Sequence, residues 1–319
     1  MPEKSANEPL TSSAVTYTGR GGYDVIKILE RTVRAPASGE VRIEVKAAAV
    51  NPTDLLLRAS GYGDPTSLIV PGMDLAGIVE SVGPGVSRLH AGEKVMAAVM
   101  PRRPEGGAQA RHVVAPAASV VAIPEGVSLA EASTLPMNGL TALLALELAS
   151  LEKGQIFAVS GGAGLLAHYA IAAAKRRGLK VIADAKPAEA ELVRGYGADV
   201  VVERGPGFVD AIRRAAPEGA DALLDTALLG EKSFGAIRDG GVYIPVRGWD
   251  KPSERGIAVK PVFVTKALER TEWLELLREM VAAAQIKLRV VGEYAPEQIA
   301  DAQRAVEAGG LRGRPVILF

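Results

Sequence analysis

The segment FAVSGGAGLLAHYAIAAAKRRG, residues 157–178, runs from an apolar strand pattern through three glycines into an alanine-rich helix pattern. Within it, Gly161, Gly164 and Ala167 stand at a Gly-x-x-Gly-x-x-Ala spacing. At a strand-to-helix corner the first glycine permits a tight turn, the second lets backbone N–H groups close on phosphate, and a third small residue packs helix on strand. The helix N-terminus adds the positive end of its dipole and donors that lack intrahelical partners. The chemistry this predicts is the cradling of a dinucleotide pyrophosphate. Small residues also mark purely structural corners, and the flanking strand and helix patterns favour the cradle.

A second strand pattern, KVIADA, begins at Lys180. The residue at its end meets the adenosine ribose, and an acid there holds the 2′-hydroxyl of NAD. Two placements are open. With Asp184 at the strand end, NAD is favoured; with Ala185 there, Lys186 faces a 2′-phosphate. Arg204, just after a third strand pattern DVVVE, offers a second cation. Both cations read alternatively as solvated loop charges. Together they tip the expectation to NADPH.

Other chemistry is narrowed by composition. The 319 residues include no cysteine and three histidines, His90, His112 and His168, far apart in the chain. Thiolate nucleophiles, disulfides and cysteine-ligated metals are excluded, and a histidine metal site is not expected. Lysine plus arginine (37) balance aspartate plus glutamate (37), which argues against nucleic-acid or membrane-surface partners. No apolar run reaches the ~18 residues of a membrane span. The opening MPEKSANEPLTSSA lacks a signal-peptide pattern and reads as a short disordered tail, so a soluble cytoplasmic protein is the default expectation. Chemistry must then come from a bound organic cofactor or from Ser, Asp, Glu, Lys or Tyr.

The elements that position these residues fall into two grammars. VRIEVKAAAV (41–50), AGIVESVG (76–83), KVMAAVM (94–100) and ARHVVAPAASVVAIP (110–124) are short strand patterns bounded by Gly and Pro, predicting a β-barrel-like domain. After Glu125 helix and strand alternate. SLAEASTLPMNGLTALLALELA is helical in pattern, with Ser128 as N-cap and a break or kink at Pro136. The strands IFAVSG, KVIADA, DVVVE, ADALLDTA and GGVYIPVRG, separated by helical patterns, predict a parallel sheet covered by helices. The end, from Val290, returns to strand, helix and strand.

AAAVNPTDLLLR (47–58), PGMDLAGIVESVGPGVSRLHAGEKVMA (71–97), NGLTALLAL (138–146) and the glycine turn together resemble the medium-chain dehydrogenase/reductase superfamily, in particular its zinc-free, zeta-crystallin-like quinone oxidoreductases. The resemblance runs from about Val15 to Phe319. It implies an α/β fold: a GroES-like β-barrel catalytic domain, begun by residues 1–122 and completed by 266–319, and a Rossmann doubly wound sheet over 123–265. Where zinc-dependent relatives carry His-Glu, this chain has Met73 and Asp74.

By position, the resemblance implies Asn51 beside the nicotinamide and acceptor and Tyr62 lining the acceptor pocket. Asn138 and Thr141 would face the nicotinamide ribose. Gly161 and Ala163, Gly164, Leu165 and Leu166 would supply backbone to the pyrophosphate, with Lys186 and Arg204 at the adenosine phosphate. Thr226, Ala227, Val246, Arg247, Gly248, Phe263 and Val264 would border the nicotinamide. Asn51 also reads as a turn former before Pro52, and Asp54 as a helix cap. Two departures stand out. Leu165 and Ala167 replace family glycines in the turn, and Leu56 replaces a second pocket tyrosine. The activity implied is metal-free hydride transfer from NADPH to a small-molecule quinone. Alternatives are reduction of an activated alkene, and NADPH binding without catalysis. A homodimer is expected, pairing through an edge strand in the VYIPV or VFV region.

Overall fold

The computed structural model describes residues 8–61 and 68–319. Tyr62 lies outside the described residues, as does the start of the expected N-terminal tail. The rest of that tail is not disordered. Strand β1 (Leu10–Tyr17) pairs antiparallel along its whole length with β2 (Ile26–Val33), and Ser12 and Ala14 are buried. The Thr-Ser-Ser run hid a strand because its order comes from pairing partners 17 to 21 residues away rather than from local apolar alternation.

The chain divides into two packed units. The first comprises residues up to Met137 together with Leu268–Ala282 and Lys287–Phe319; the second comprises Asn138–Ala267 and Ala283–Ile286.

The first unit continues through β3 (Glu40–Ala49), α1 (Pro52–Ser60), β4 (Asp74–Val82), β5 (Lys94–Ala98), β6 (His112–Pro116), β7 (Val120–Ala122) and α2 (Leu129–Ala132). A reciprocal cap starts α2: Ser128 Oγ accepts from Glu131 N at 3.2 Å while Glu131 accepts from Ser128 N at 3.1 Å. The helical pattern breaks where Pro136 requires, and α3 (Pro136–Ala149) begins on that proline.

In the second unit α3 is apolar around most of its circumference and correspondingly buried. It is followed by β8 (Ile156–Ser160), α4 (Leu165–Arg176), β9 (Lys180–Ala185), α5 (Ala190–Gly195), β10 (Val200–Glu203), α6 (Phe208–Ala215), β11 (Ala220–Asp225), β12 (Ile237–Pro245) and β13 (Ala258–Val259). The sheet order β10-β9-β8-β11-β12-β13, every pairing parallel, is the doubly wound order of dinucleotide-binding folds. Its core includes Ile182, Phe208, Ile212, Leu223, Phe234 and Tyr243. The VYIPV run is not an edge, because β13 pairs with β12 and Lys260 N and Val262 N extend the pairing to Tyr243 O and Pro245 O. The VFV run is not a strand either; the outer strand is the two-residue β13.

The chain then returns to the first unit as α7 (Thr271–Ala282), β14 (Val290–Tyr294), α8 (Ile299–Ala308) and β15 (Arg314–Leu318). The seven-stranded sheet runs β14-β15-β3-β4-β5-β7, with β6 also on β3. Strand β3 is shared on one side: β6 pairs with Glu40–Glu44 and β15 with Ala47–Ala49. Val41, Ile43, Val45, Leu75, Val95 and Val113 fill the core beneath it.

Candidate functional site

In the second unit, Ser160 ends β8 and Leu165 begins α4, so Gly161–Gly164 make the whole turn. Gly161 has φ +71°, and a Cβ there would lie 2.6 Å from Thr226 Oγ1. A Cβ on Gly162 would lie 2.5 Å from the Asp184 carbonyl oxygen. The backbone therefore passes where no side chain fits. Gly164 caps α4 without a side chain, and its N–H turns back to Gly161 O at 2.9 Å. Among the described residues the N–H groups of Leu165, Leu166 and Ala167 have no acceptor, which is the donor set a phosphate takes at a helix N-terminus. The Leu165 side chain is buried, so its bulk is housed within the unit.

Asp184 is buried, and its Oδ1 accepts from Gly161 N at 2.5 Å and Gly162 N at 3.0 Å. Strand β9 ends one residue later, at Ala185. Of the two placements open in the sequence, the acid is thus turned under the glycine turn, and Lys186 is the first residue beyond the strand. Burial raises the Asp184 carboxyl above its ordinary range, against the pull of the Gly162 N–H and of the Arg204 guanidinium, whose Nε is 4.0 Å from Oδ2. Lys186 and Arg204 are both exposed, and the pairing of Ala185 with Glu203 sets them side by side. Asp184→Asn places a donor against the turn's N–H groups, so NADPH and NADH should both bind about tenfold more weakly, a loss near the cost of one hydrogen bond. Calorimetry with each nucleotide checks this; a loss confined to NADH would assign Asp184 to the ribose instead.

A second buried carboxylate braces the next strands. Asp225, at the end of β11, accepts from Ser160 Oγ (2.6 Å), Leu229 N (3.0 Å), Gly230 N (2.8 Å) and the Tyr243 hydroxyl (2.7 Å). Burial, then this carboxylate, raises the pKa of Tyr243. Thr226 Oγ1 donates to Ser160 O at 2.6 Å, and Ala227 N to Ser160 Oγ at 3.0 Å. Thr226 and Ala227 follow β11, Val246–Gly248 follow β12, and Phe263 and Val264 follow β13. All stand past the carboxyl ends of parallel strands, where open α/β sheets take ligands. Asn138 and Thr141, on α3, are buried.

In the first unit, Asn51 precedes α1 and is fully buried. Its Nδ2 donates to Asp74 Oδ2 at 2.7 Å, its Oδ1 accepts from Arg314 Nε at 2.7 Å, and its backbone N–H donates to Asp54 Oδ2 at 2.8 Å. Asp54 caps the helix, and also takes Gly72 N at 3.0 Å and Gln109 Nε2 at 3.3 Å. Asp74 Oδ1 accepts from Met137 N. Burial pushes both carboxyls up to about 7, against the N–H groups that each accepts. Tyr62 lies outside the described residues, so of Asn51 and Tyr62 only Asn51 has a described position.

A zinc ion does not fit this centre. The chain has no cysteine, Met73 offers no imidazole, and both Asp74 oxygens are already bonded. Among the described residues no group of three His, Asp or Glu is arranged for a metal.

Residues 37–125 match the model of the alcohol dehydrogenase GroES-like domain, and residues 196–317 that of the zinc-binding dehydrogenase family. The chain belongs to the medium-chain dehydrogenase/reductase superfamily. The GroES-like and Rossmann-like parts implied by the sequence are those of this superfamily. Among superfamily members, an NADPH-dependent alkenal/one oxidoreductase of Arabidopsis thaliana is 28% identical over 98% of this chain and 81% of its own length. A quinone-oxidoreductase homolog of Spinacia oleracea is 35% identical over 60% of each chain. The crystal structure of an alcohol dehydrogenase superfamily protein from Novosphingobium aromaticivorans is 26% identical, with a TM-score of 0.84 over 97% of this chain and 99% of that one. Against some other curated relatives the chain spans about half their length, 55% in one case.

Neither Arg314 nor the Asp225 hub is marked as a site residue by the sequence. Arg314 carries no local motif and meets Asn51 only because β15 pairs with β3. Asp225 could have been suspected as the acid closing a strand pattern ahead of Thr226.

Proposed function

We propose that this oxidoreductase is a zinc-independent, NADPH-dependent reductase whose acceptor is conjugated to a carbonyl, a quinone foremost. One observation carries the nucleotide choice: Asp184 is spent on the N–H groups of Gly161 and Gly162, leaving Lys186 and Arg204 beyond the strand end. When bound, NADPH supplies hydride from its nicotinamide. The Leu165–Ala167 N–H groups hold the pyrophosphate, and Lys186 and Arg204 the 2′-phosphate. Asn138, Thr141, Thr226, Ala227, Val246, Arg247, Gly248, Phe263 and Val264 border the nicotinamide half, with Asn51 and Tyr62 on the acceptor side. Charge gathering on the acceptor oxygen calls for polar stabilisation, and for a quinone water suffices as the proton source. The quinone reading is supported by the quinone-oxidoreductase homolog. An activated alkene is the second reading, favoured by the alkenal/one relative and by Leu56 in place of a pocket tyrosine.

NADPH consumption over a panel of quinones and enones tests both. Turnover of quinones supports the first reading, and of enones alone the second. Tight NADPH binding without turnover would make the protein a nucleotide-binding sensor, and absence of NADPH and NADH binding would overturn the proposal. Among the described residues no helix is long and apolar enough to cross a membrane, and cytoplasmic action on a small molecule is part of the same proposal. So is a homodimer, joined through the β13 side of the parallel sheet. Light scattering at the mass of one chain would remove it.

A further inference from the structure

The register of β15 on β3 has a chemical result. Val316 pairs with Ala49 and Val50 N donates to Pro315 O, so the next step places Arg314 opposite Asn51. The guanidinium can only donate and an ionised carboxylate can only accept. Between them, the Asn51 carboxamide has one orientation: oxygen toward Arg314 Nε and nitrogen toward Asp74 Oδ2, each at 2.7 Å. Water does not compete, because Asn51 and Asp74 have no exposed surface. The other Asp74 oxygen holds Met137 N, the peptide that leads directly into Asn138.

We propose that Arg314 and Asp74 are positioning residues that clamp and polarise the Asn51 carboxamide, fixing it for an acceptor whose carbonyl oxygen gains negative charge on reduction. The proposal rests on the reductase reading above, in which Asn51 serves the acceptor. A guanidinium on the amide oxygen and a carboxylate on the amide N–H draw its electrons in one direction, so the two bonds reinforce each other. Asp74 alone would tether the nitrogen, but the opposing cation is what fixes the far end of the amide.

The charged and titratable groups around Asp74 are Asp54 on α1 and Arg314 on β15. Asp54 in turn faces Arg314 and acts on Tyr17 of β1, which also feels Arg58. Burial raises the Asp74 carboxyl to about 7, and Arg314 pulls it down. Asp54 is raised alongside it and shares Arg314, so the two carboxyls titrate together. Turnover should rise with pH as the pair ionises and Asp74 takes up the amide N–H as a carboxylate. Without the guanidinium the midpoint moves up, and the acid limb moves with it to higher pH.

The test compares wild type, Arg314→Met and Arg314→Lys, with thermal melting as the control for folding. Arg314→Met should lose on the order of tenfold to hundredfold in kcat at neutral pH, with the acid limb displaced upward. Its NADPH Kd should stay within about twofold, since that loss is confined to the reacting complex. Arg314→Lys keeps the charge and should restore the limb, while kcat stays below wild type because the planar fork is gone. Carbon NMR of the Asp74 carboxyl in the nucleotide-free protein should show the same upward displacement in Arg314→Met and not in Arg314→Lys. A kcat and acid limb unchanged in Arg314→Met, or a carboxyl titration that does not move, overturns the clamp. If wild type binds NADPH but reduces no acceptor, the reductase reading fails, and the NMR titration still decides whether Arg314 and Asp74 are linked.

Discussion

Gly162→Ala is expected to abolish useful nucleotide binding. The added methyl would sit 2.5 Å from the Asp184 carbonyl oxygen and 3.0 Å from the Ala183 Cβ. Both belong to β9, which lies between β8 and β10 and has little room to retreat. The turn itself must move, and its displacement breaks the bonds from Gly162 N to the Asp184 carbonyl and carboxylate. Overpacking of this kind costs about 1–3 kcal/mol in stability. The cost to binding stands at the top of that range, because the Leu165–Ala167 N–H groups proposed above to hold the phosphates are aimed by the same turn. A loss of about 3 kcal/mol, near 100-fold in Kd, is expected for NADPH and NADH alike. Calorimetry on protein verified as folded by circular dichroism measures it. Affinity retained within tenfold would show that the phosphates are held elsewhere.

The second large effect is selective. Lys186→Ala should cost NADPH about 1.5–3 kcal/mol, the range for a hydrogen bond to a charged group. That is roughly 10- to 150-fold in Kd. NADH, with no 2′-phosphate, should bind almost unchanged. The exposed position of Lys186 adds a signature: the NADPH preference should shrink as salt screens the contact. Arg204→Ala should lose less, because its guanidinium already lies within 4.0 Å of Asp184. Equal losses of NADPH and NADH in Lys186→Ala would remove Lys186 from the 2′-phosphate.

The glycine turn was legible because its demands are local: a tight corner, close backbone and a small helix–strand contact each fix a residue type at a fixed spacing. The choice between Asp184 and Ala185 was not. A one-residue step reverses the facing of a strand side chain, and apolar periodicity in KVIADA fits either end point. The N–H groups of Gly161 and Gly162 resolve it, and these come from a different strand-to-helix corner. Helix capping by Ser128 and the break at Pro136 are likewise local and readable. Arg314 shows the opposite limit. It is 263 residues from Asn51, and only strand pairing joins them. Strand β1 failed for the same reason on a smaller scale, since its polar residues become strand only against β2.

The shared flank of β3 has a consequence for how the chain is made. Once residues 112–116 have been synthesised, β6 can occupy Glu40–Glu44, but Ala47–Ala49 must wait for β15, about 200 residues later in the chain. The second unit can complete all six of its strands in that interval. A nascent polypeptide therefore carries a short stretch of open backbone until β15 emerges, and such stretches invite intermolecular pairing. Chaperone demand and aggregation should be governed by the arrival of β15 more than by the stability of the finished protein.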